Sequence, residues 1–236
     1  MEKYYKIAGL TVKMDTFGRT LKQAAPYEIP FREKVDFELV SPWPKKKNDY
    51  PCLSDDDGEY LATGAAFYRR LLDYSGMRLH SSAVVVDDRA YLFSADSGTG
   101  KSTHTRIWLD VFGDRAYILN DDKPAIRREA DGWYAYGTPW SGKNDISANT
   151  RVPIAGIAMI ERAEENEIFP FVGKEAIREV LAQLNNVRST EKRIKQLDLL
   201  DRLLQEVPIW KLRCNMEDEA AIVSYEAMSG QKFKEN

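Results

Sequence analysis

Short apolar stretches separated by turn residues dominate the first part of the chain. Residues 5–12 and 35–40 have the composition of β-strands, whereas residues 41–57 are rich in Pro, Lys and Asp. We therefore predict a small N-terminal β-rich subdomain with a linker over residues 1–57. A helix follows, because apolar side chains recur at helical spacing at Leu61, Ala65, Tyr68 and Leu72.

A glycine-rich turn in the middle of the chain lies between an apolar hairpin and a helix. Residues 82–86 and 90–93 are continuous apolar runs split by Asp-Asp-Arg, which predicts a hairpin buried on both faces. The helix after the turn spans about residues 102–111. Residues 117–119 predict another buried strand, which ends at Asn-Asp-Asp.

The remaining pattern alternates strands with helices. Strands are predicted near residues 124–128 and 133–136, and the apolar run 154–160 is placed in the core of the sheet. A strand at 209–214 and a helix at 218–228 end the pattern. Two earlier helices have the apolar faces Ile177, Val180, Leu181, Leu184 and Ile194, Leu197, Leu200, Leu203, Leu204. The predicted fold class is α/β, a mixed sheet with helices on its faces.

Composition and charge exclude several classes of function. A chain of 236 residues with 43% hydrophobic and 30% charged residues is typical of a soluble globular protein. The net charge of −3 gives no electrostatic basis for binding nucleic acid or an anionic membrane. No apolar run approaches the roughly 18–20 residues that cross a bilayer. No apolar h-region follows residues 1–6, so we expect no secretory signal. Two cysteines, Cys52 and Cys214, are too few for a disulfide framework, so we expect a cytoplasmic protein.

Residues 95–102, Ala-Asp-Ser-Gly-Thr-Gly-Lys-Ser, nearly match the phosphate-binding pattern G-x-x-x-x-G-K-[ST] between a strand and a helix. Gly98 and Gly100 allow the backbone to turn several N–H groups toward an anion, and the helix start adds its positive dipole end. Lys101 would contact the β- and γ-phosphates, and the Ser102 hydroxyl would bind Mg²⁺. Ala95 in place of the first glycine leaves a chance glycine-rich turn as the alternative. The nucleotide-binding residues predicted here are Asp96, Ser97, Gly98, Thr99, Gly100, Lys101, Ser102 and Thr103.

A pair of carboxylates, Asp121 and Asp122, follows the strand predicted at residues 117–119. The end of a buried strand one βα unit after a phosphate loop is where a carboxylate must lie to hold Mg²⁺. One aspartate could bind the metal while the other accepts the proton of an attacking hydroxyl. The sequence leaves open which is which, and a turn before Pro124 is the alternative.

Together these segments resemble the group of HPr serine kinases and ATP-dependent phosphoenolpyruvate carboxykinases. Residues 97–102 are similar to the S-G-x-G-K-[ST] loop of both families, and residues 119–122 to their paired aspartates. Leu-His-Ser-Ser-Ala at 79–83 resembles the H-x-S-A stretch of the carboxykinases, and Asn-Thr-Arg-Val at 149–152 resembles their N-T-R-V run. The resemblance covers about residues 78–162.

This resemblance implies a P-loop core with the mixed sheet of that group, a kinase-like domain over residues 58–236, and ATP with Mg²⁺ as cofactors. It implies that His80 lies near the metal or the transferred group, and that Arg151 contacts the transferring phosphoryl group. The alternative for His80 is a histidine that lies beside a strand and has no role in the site. The alternative for Arg151 is an arginine exposed to solvent. His104 has no counterpart in the group. The loop at 137–143 could line the acceptor pocket, with Lys143 as a phosphate contact.

Departures from the group leave the phosphate acceptor open. The substrate arginines of the longer carboxykinases are not found, which argues against decarboxylation of oxaloacetate. The glycine-rich segment with which HPr kinases grip their protein substrate is not found either. The sequence predicts a Mg-ATP-dependent kinase acting on a serine of a protein or peptide; a small-molecule hydroxyl acceptor and a non-catalytic nucleotide sensor are alternatives. Because HPr kinases form hexamers, a homo-oligomer is possible, and the sequence leaves the oligomeric state open.

Overall fold

Two β-sheets carry the mixed α/β fold of residues 2–234, which are the residues described by the computed structural model. The strands are β1 (Lys3–Ile7), β2 (Leu10–Asp15), β3 (Glu28–Ile29), β4 (Phe37–Val40), β5 (Gly76–Arg78), β6 (Ser81–Val86), β7 (Arg89–Ser94), β8 (Ala116–Asn120), β9 (Ala125–Glu129), β10 (Gly132–Tyr136), β11 (Arg151–Arg162), β12 (Glu167–Pro170) and β13 (Ile209–Cys214). The helices are α1 (Gly18–Ala24), α2 (Trp43–Lys46), α3 (Asp55–Leu71), α4 (Lys101–Phe112), α5 (Gly173–Ala182), α6 (Thr190–Glu206) and α7 (Asp218–Ser229). The predicted α/β class is confirmed.

The smaller sheet lies in the N-terminal region and has the strand order β3-β1-β2-β4. Its buried side chains share one apolar cluster with α3 and with Trp140, so it packs directly onto the rest of the chain. The segment predicted as a linker instead contains α2 and the start of α3, where the Ser54 hydroxyl accepts a hydrogen bond from the backbone N–H of Asp57. The boundary at residue 57 therefore falls inside a helix, and the division into two domains stays a prediction.

The larger sheet brings the ends of several strands together at one edge. Its order is β5-β9-β10-β11-β7-β6-β8, with β13 paired to β11 and β12 to β13. β7, β11 and β13 are parallel, and β8 has the same direction because both β7 and β8 pair antiparallel with β6. The carboxyl ends of β7, β8 and β11 therefore meet at one edge, where open α/β sheets bind their ligands.

Helices cover both faces of the larger sheet. On one face, α4 and α7 pack together, and the rings of Trp108 and Tyr225 lie 5.9 Å apart. On the other face, α5 and α6 bury Val180 and Leu203. No helix within residues 2–234 is long and apolar enough to cross a membrane.

Two predicted helix faces are rotated in the structure. Leu61 is 47% exposed on α3, because the helix turns Gly64 toward the indole of Trp140; a Cβ on that glycine would lie 2.7 Å from the ring. On α6, Ile194 is exposed while Gln196 is buried and donates to the carbonyl of Asn185. In both helices, a contact with a distant residue decides which of two overlapping helix faces is buried.

Candidate functional site

A glycine-rich loop, residues 95–100, joins the carboxyl end of β7 to the amino end of α4. Gly98 and Gly100 have φ values of +82° and +121°, a conformation that L side chains rarely adopt. A Cβ on either glycine would meet nothing within 4 Å, so open space lies beside both. The loop and the first turn of α4 thus border a space where backbone N–H groups and the helix dipole favour an anion.

Lys101, the first residue of α4, folds back over this loop. Its ammonium donates hydrogen bonds to the carbonyl oxygens of Ala95 at 2.9 Å and Asp96 at 3.1 Å, and the residue is 8% exposed. Burial lowers the pKa of Lys101, whereas the charges of Asp122, Asp96 and Asp121 act to raise it. The loop therefore has a buried cation at its base and carboxylates nearby.

Arg162 holds the loop from the other side. The residue ends β11, and its guanidinium donates to the carbonyl oxygens of Thr99 at 2.9 Å and Gly98 at 2.5 Å. The parallel pairing of β11 with β7 brings this arginine to the loop. Arg162 belongs to none of the motifs predicted from the sequence, although its position just after the long apolar run at 154–160 was a usable signal.

Asp121 is fixed by a donor on each carboxylate oxygen. The hydroxyl of Ser82 donates to Oδ1 at 2.8 Å, and the amide of Asn144 donates to Oδ2 at 2.6 Å. Ser82 is also hydrogen-bonded to Thr105 of α4 at 2.8 Å. Strand β6, helix α4 and the segment after β10 therefore set the position of this carboxylate, which is 7% exposed.

Asp122 lies between a histidine and a lysine. Its Oδ1 is 3.4 Å from Nε2 of His80, and its Oδ2 pairs with the ammonium of Lys123. Burial raises the pKa of Asp122, but the hydrogen bond from His80 and the charge of Lys123 outweigh burial and lower the pKa to about 2. The carboxylate is therefore ionised at neutral pH.

A hydrogen-bonded chain joins the acidic pair to the glycine-rich loop. The side-chain amide of Gln183 donates to Oδ1 of Asp96 at 3.0 Å, and its Oε1 lies 3.1 Å from Nδ1 of His80. Because the amide nitrogen is used by Asp96, Oε1 of Gln183 must accept a hydrogen bond from Nδ1–H of His80. The second ring nitrogen, Nε2, faces Asp122 and donates to that carboxylate in the imidazolium form, which carries a proton on both nitrogens. Gln183 follows α5, and no sequence signal identified it.

One cleft of about 730 Å³ is lined by residues of the glycine-rich loop together with Lys101, His80, the acidic pair and Arg162. The opposite wall comes from the N-terminal region and from the loop after β10. Arg19 of α1 stacks on the Tyr60 ring at 3.9 Å and donates to the carbonyl of Gly142, which ties the two parts of this wall together. The sequence-derived site residues lining the cleft are His80, Ser97, Gly98, Gly100, Lys101, Ser102, Thr103, Asp121, Asp122 and Lys143.

Three residues expected near the phosphates do not line this cleft. Asp96 is turned toward Gln183, and Thr99 borders an adjoining pocket. Arg151 is a correction of position: it begins β11, whereas the glycine-rich loop lies at the carboxyl ends of β7 and β11. Ser94, the last residue of β7, pairs with Met159, so the part of β11 between Arg151 and the start of the loop is roughly 25 Å long. At the start of β11, far from the loop, Arg151 pairs with Glu129 at 3.1 Å and stacks on Tyr134.

His104 has a structural environment. Its Nε2 accepts a hydrogen bond from the indole of Trp108 at 3.1 Å, and the ring is 3% exposed. Burial lowers the pKa of His104 to about 3, so the imidazole is neutral at physiological pH. It therefore packs α4 onto the sheet instead of titrating in the cleft.

The oxygen donors in the cleft fit a magnesium ion. Ser102, Asp121 and Asp122 all line the cleft and carry one hydroxyl and two carboxylates. Mg²⁺ is commonly held by one or two carboxylates, with phosphate oxygens and water completing its octahedron. The described donor set has this chemistry.

The similarity of this chain to known proteins is weak. No protein-family model and no curated protein sequence matches the chain. Among solved structures, the Hpr(Ser) kinase/phosphatase from Coxiella burnetii aligns with 65% of this chain and 95% of its own, at 13% identity and a TM-score of 0.37. An overlap at this TM-score establishes neither a family nor an activity.

Proposed function

We propose that this protein is a Mg-ATP-dependent phosphotransferase that moves the γ-phosphoryl group to a hydroxyl. One observation carries the proposal: the open glycine-rich loop, Lys101 and the carboxylates Asp121 and Asp122 converge on one cleft. A cation beside loop amides suits a polyphosphate, and two carboxylates in the same cleft suit a metal ion and an acceptor hydroxyl.

The loop and α4 stabilise the charge of the phosphates. Backbone N–H groups around Gly98 and Gly100, the amino end of α4 and Lys101 all present positive charge to the same space. Arg162 holds the carbonyl oxygens of Gly98 and Thr99, which fixes the backbone of the loop before a ligand binds. Binding thus needs little rearrangement of the backbone, which favours positioning as the source of rate enhancement.

The nucleoside has a place beside the loop. An adjoining pocket of about 330 Å³ shares Gly100, Thr103 and Arg162 with the cleft and has apolar walls from Ile107 and Ile160. We place the base of the nucleotide in this pocket, because flat apolar rings bind between apolar side chains while the phosphates reach the loop.

We assign different roles to the two aspartates. Asp121 is held rigidly by Ser82 and Asn144, which suits a metal ligand. Asp122 adjoins His80, so it suits the acceptor hydroxyl. A bound Mg²⁺ would offset charge on the phosphate oxygens.

The proposed phosphoryl transfer is a simple displacement at the γ-phosphorus. The acceptor oxygen forms a bond to the γ-phosphorus, and the bond from that phosphorus to the β–γ bridging oxygen breaks, so that ADP leaves with the electron pair. The hydroxyl proton passes to the Asp122 carboxylate. Because this transition state is loose, a weakly basic carboxylate that orients the hydroxyl is sufficient.

Transfer of radiolabelled phosphate tests this function. The protein is incubated with Mg²⁺ and γ-labelled ATP, first with cell extract and then with extract fractionated by size. We expect label in an acid-stable or alkali-labile phosphoester, lost in Lys101→Ala and kept in Arg151→Gln, which changes an arginine at the far end of β11. Equal labelling by the wild type and Lys101→Ala would contradict the proposal.

A further inference from the structure

Arg78, at the end of β5, carries a positive charge that the protein does not satisfy. Its Nε is buried without a hydrogen-bond partner, and the guanidinium forms no hydrogen bond or ion pair with any residue in the described range 2–234. Burial lowers the pKa of Arg78, and the charge of Asp122 acts against that effect. Asp122, however, already pairs with Lys123 and faces His80. Arg78 is half-buried, and a partly desolvated charge without a partner is costly, so an arginine in this position normally meets an anion.

The guanidinium borders a small pocket of about 230 Å³, which we call the Arg78 pocket. Tyr68 and Trp140 give the pocket aromatic walls, and two further basic residues, Arg69 and Lys123, line it. Tyr60 and Lys123 line both this pocket and the cleft, so the two cavities adjoin. A group bound to Arg78 would therefore extend toward Asp122.

Two amides add donors to this pocket. Asn185 accepts from Gln196 through its carbonyl oxygens, and Asn186 accepts from Arg193 through Oδ1, so the side-chain NH₂ of each remains unengaged in the described contacts. The described lining residues include arginine, lysine and asparagine but no carboxylate. Donors without acceptors select an anion, and the planar fork of an arginine matches a carboxylate.

We propose that the Arg78 pocket binds the carboxylate of the phosphate acceptor, and that the acceptor is a small hydroxy acid. The inference rests on the proposed function, since it supplies the acceptor for the same cleft. The pocket holds a carboxylate with a few carbon atoms, and the adjoining cleft receives the hydroxyl next to Asp122. The phosphoryl transfer is the displacement given above, with the hydroxy acid as the attacking group.

Calorimetry with serine, glycerate and serine amide tests the pocket without requiring turnover. The wild type should bind serine and glycerate, whereas serine amide, which lacks the carboxylate, should bind roughly 10–100-fold more weakly. Arg78→Gln should weaken the two acids by the same factor and leave Mg-ATP binding unchanged. Arg70→Gln is the matched control, because this arginine is exposed on α3 and lies outside the pocket.

The comparison of serine with its amide uses only the wild type, so it remains decisive if Arg78→Gln does not fold. Equal binding of acid and amide, or no binding of either, would overturn the pocket assignment. Tighter Arg78-dependent binding of a serine-terminated peptide than of serine would overturn the small-molecule acceptor. Failure of the proposed function would give a different result: the wild type would still bind serine and glycerate but would not bind Mg-ATP.

Discussion

Glu59 is the buried acid whose titration we expect to affect stability most clearly. It lies on the inner face of α3 with 0% exposure, and the Thr20 hydroxyl donates to its Oε2. Its Oε1 has no hydrogen-bond partner among the described residues. Burial raises the pKa of Glu59 from 4.5 to about 7, although the bond from Thr20 acts to lower it.

The sign of the pH dependence follows from this raised pKa. Below pH 4.5 the carboxyl is protonated in both the folded and the unfolded chain, so it costs nothing. As the pH rises, the unfolded chain ionises first, and stability is lost progressively until the folded carboxyl also ionises near pH 7. At 1.36 kcal/mol per pKa unit, the full loss is about 3 kcal/mol.

Glu59→Gln keeps the shape of the side chain and removes its ionisation. We expect the variant to be more stable than the wild type by about 3 kcal/mol at pH 8, and by about 1 kcal/mol or less at pH 5. Urea unfolding at pH 5, 6, 7 and 8 measures the difference. Glu33→Gln, at an exposed position, is the matched control and should follow the wild type. A constant difference between Glu59→Gln and the wild type from pH 5 to pH 8 would refute the reasoning.

Two further predictions concern the cleft. Asp121→Asn should weaken Mg-dependent ATP binding in calorimetry with and without chelator, whereas Asp122→Asn should keep binding and slow single-turnover transfer by roughly 10²–10⁴-fold; the reverse pattern would exchange the two roles. Gly100→Ala meets no steric obstacle but must adopt a φ near +121°, so it should cost about 1–3 kcal/mol in urea unfolding or distort the loop and weaken ATP binding. Unchanged stability together with unchanged ATP affinity would show that the backbone conformation at this residue is not required.

Local pattern was sufficient to predict much of the fold near the site. The continuous apolar runs at 82–86 and 90–93 became β6 and β7, and the glycine-rich turn led into α4 one residue earlier than predicted. These elements depend on short-range sequence signals, namely a tight turn, buried strands and a helix start. The buried faces of α3 and α6 were predicted less well, because Trp140 and Gln196 decide them through distant contacts.

In the candidate site, too, local motifs could be predicted from the sequence, whereas residues brought in by distant contacts could not. The glycine-rich loop and the acidic pair are contiguous motifs, so sequence could indicate them. Arg162 and Gln183 reach the loop only through strand pairing and helix packing, and neither belongs to a motif. Arg151 was placed by resemblance alone, and the direction of β11 puts it at the opposite end of the sheet.

Calorimetric titration of Mg-ATP tests the central claim most directly. Lys101→Met keeps the buried stem of the side chain but removes the ammonium that lies over the loop carbonyls. We predict saturable binding of Mg-ATP at one site in the wild type and in Arg151→Gln, and binding at least roughly tenfold weaker in Lys101→Met with its circular dichroism unchanged. Equal affinity of Lys101→Met and the wild type, or no binding by the folded wild type, would contradict a phosphate-binding role for the loop.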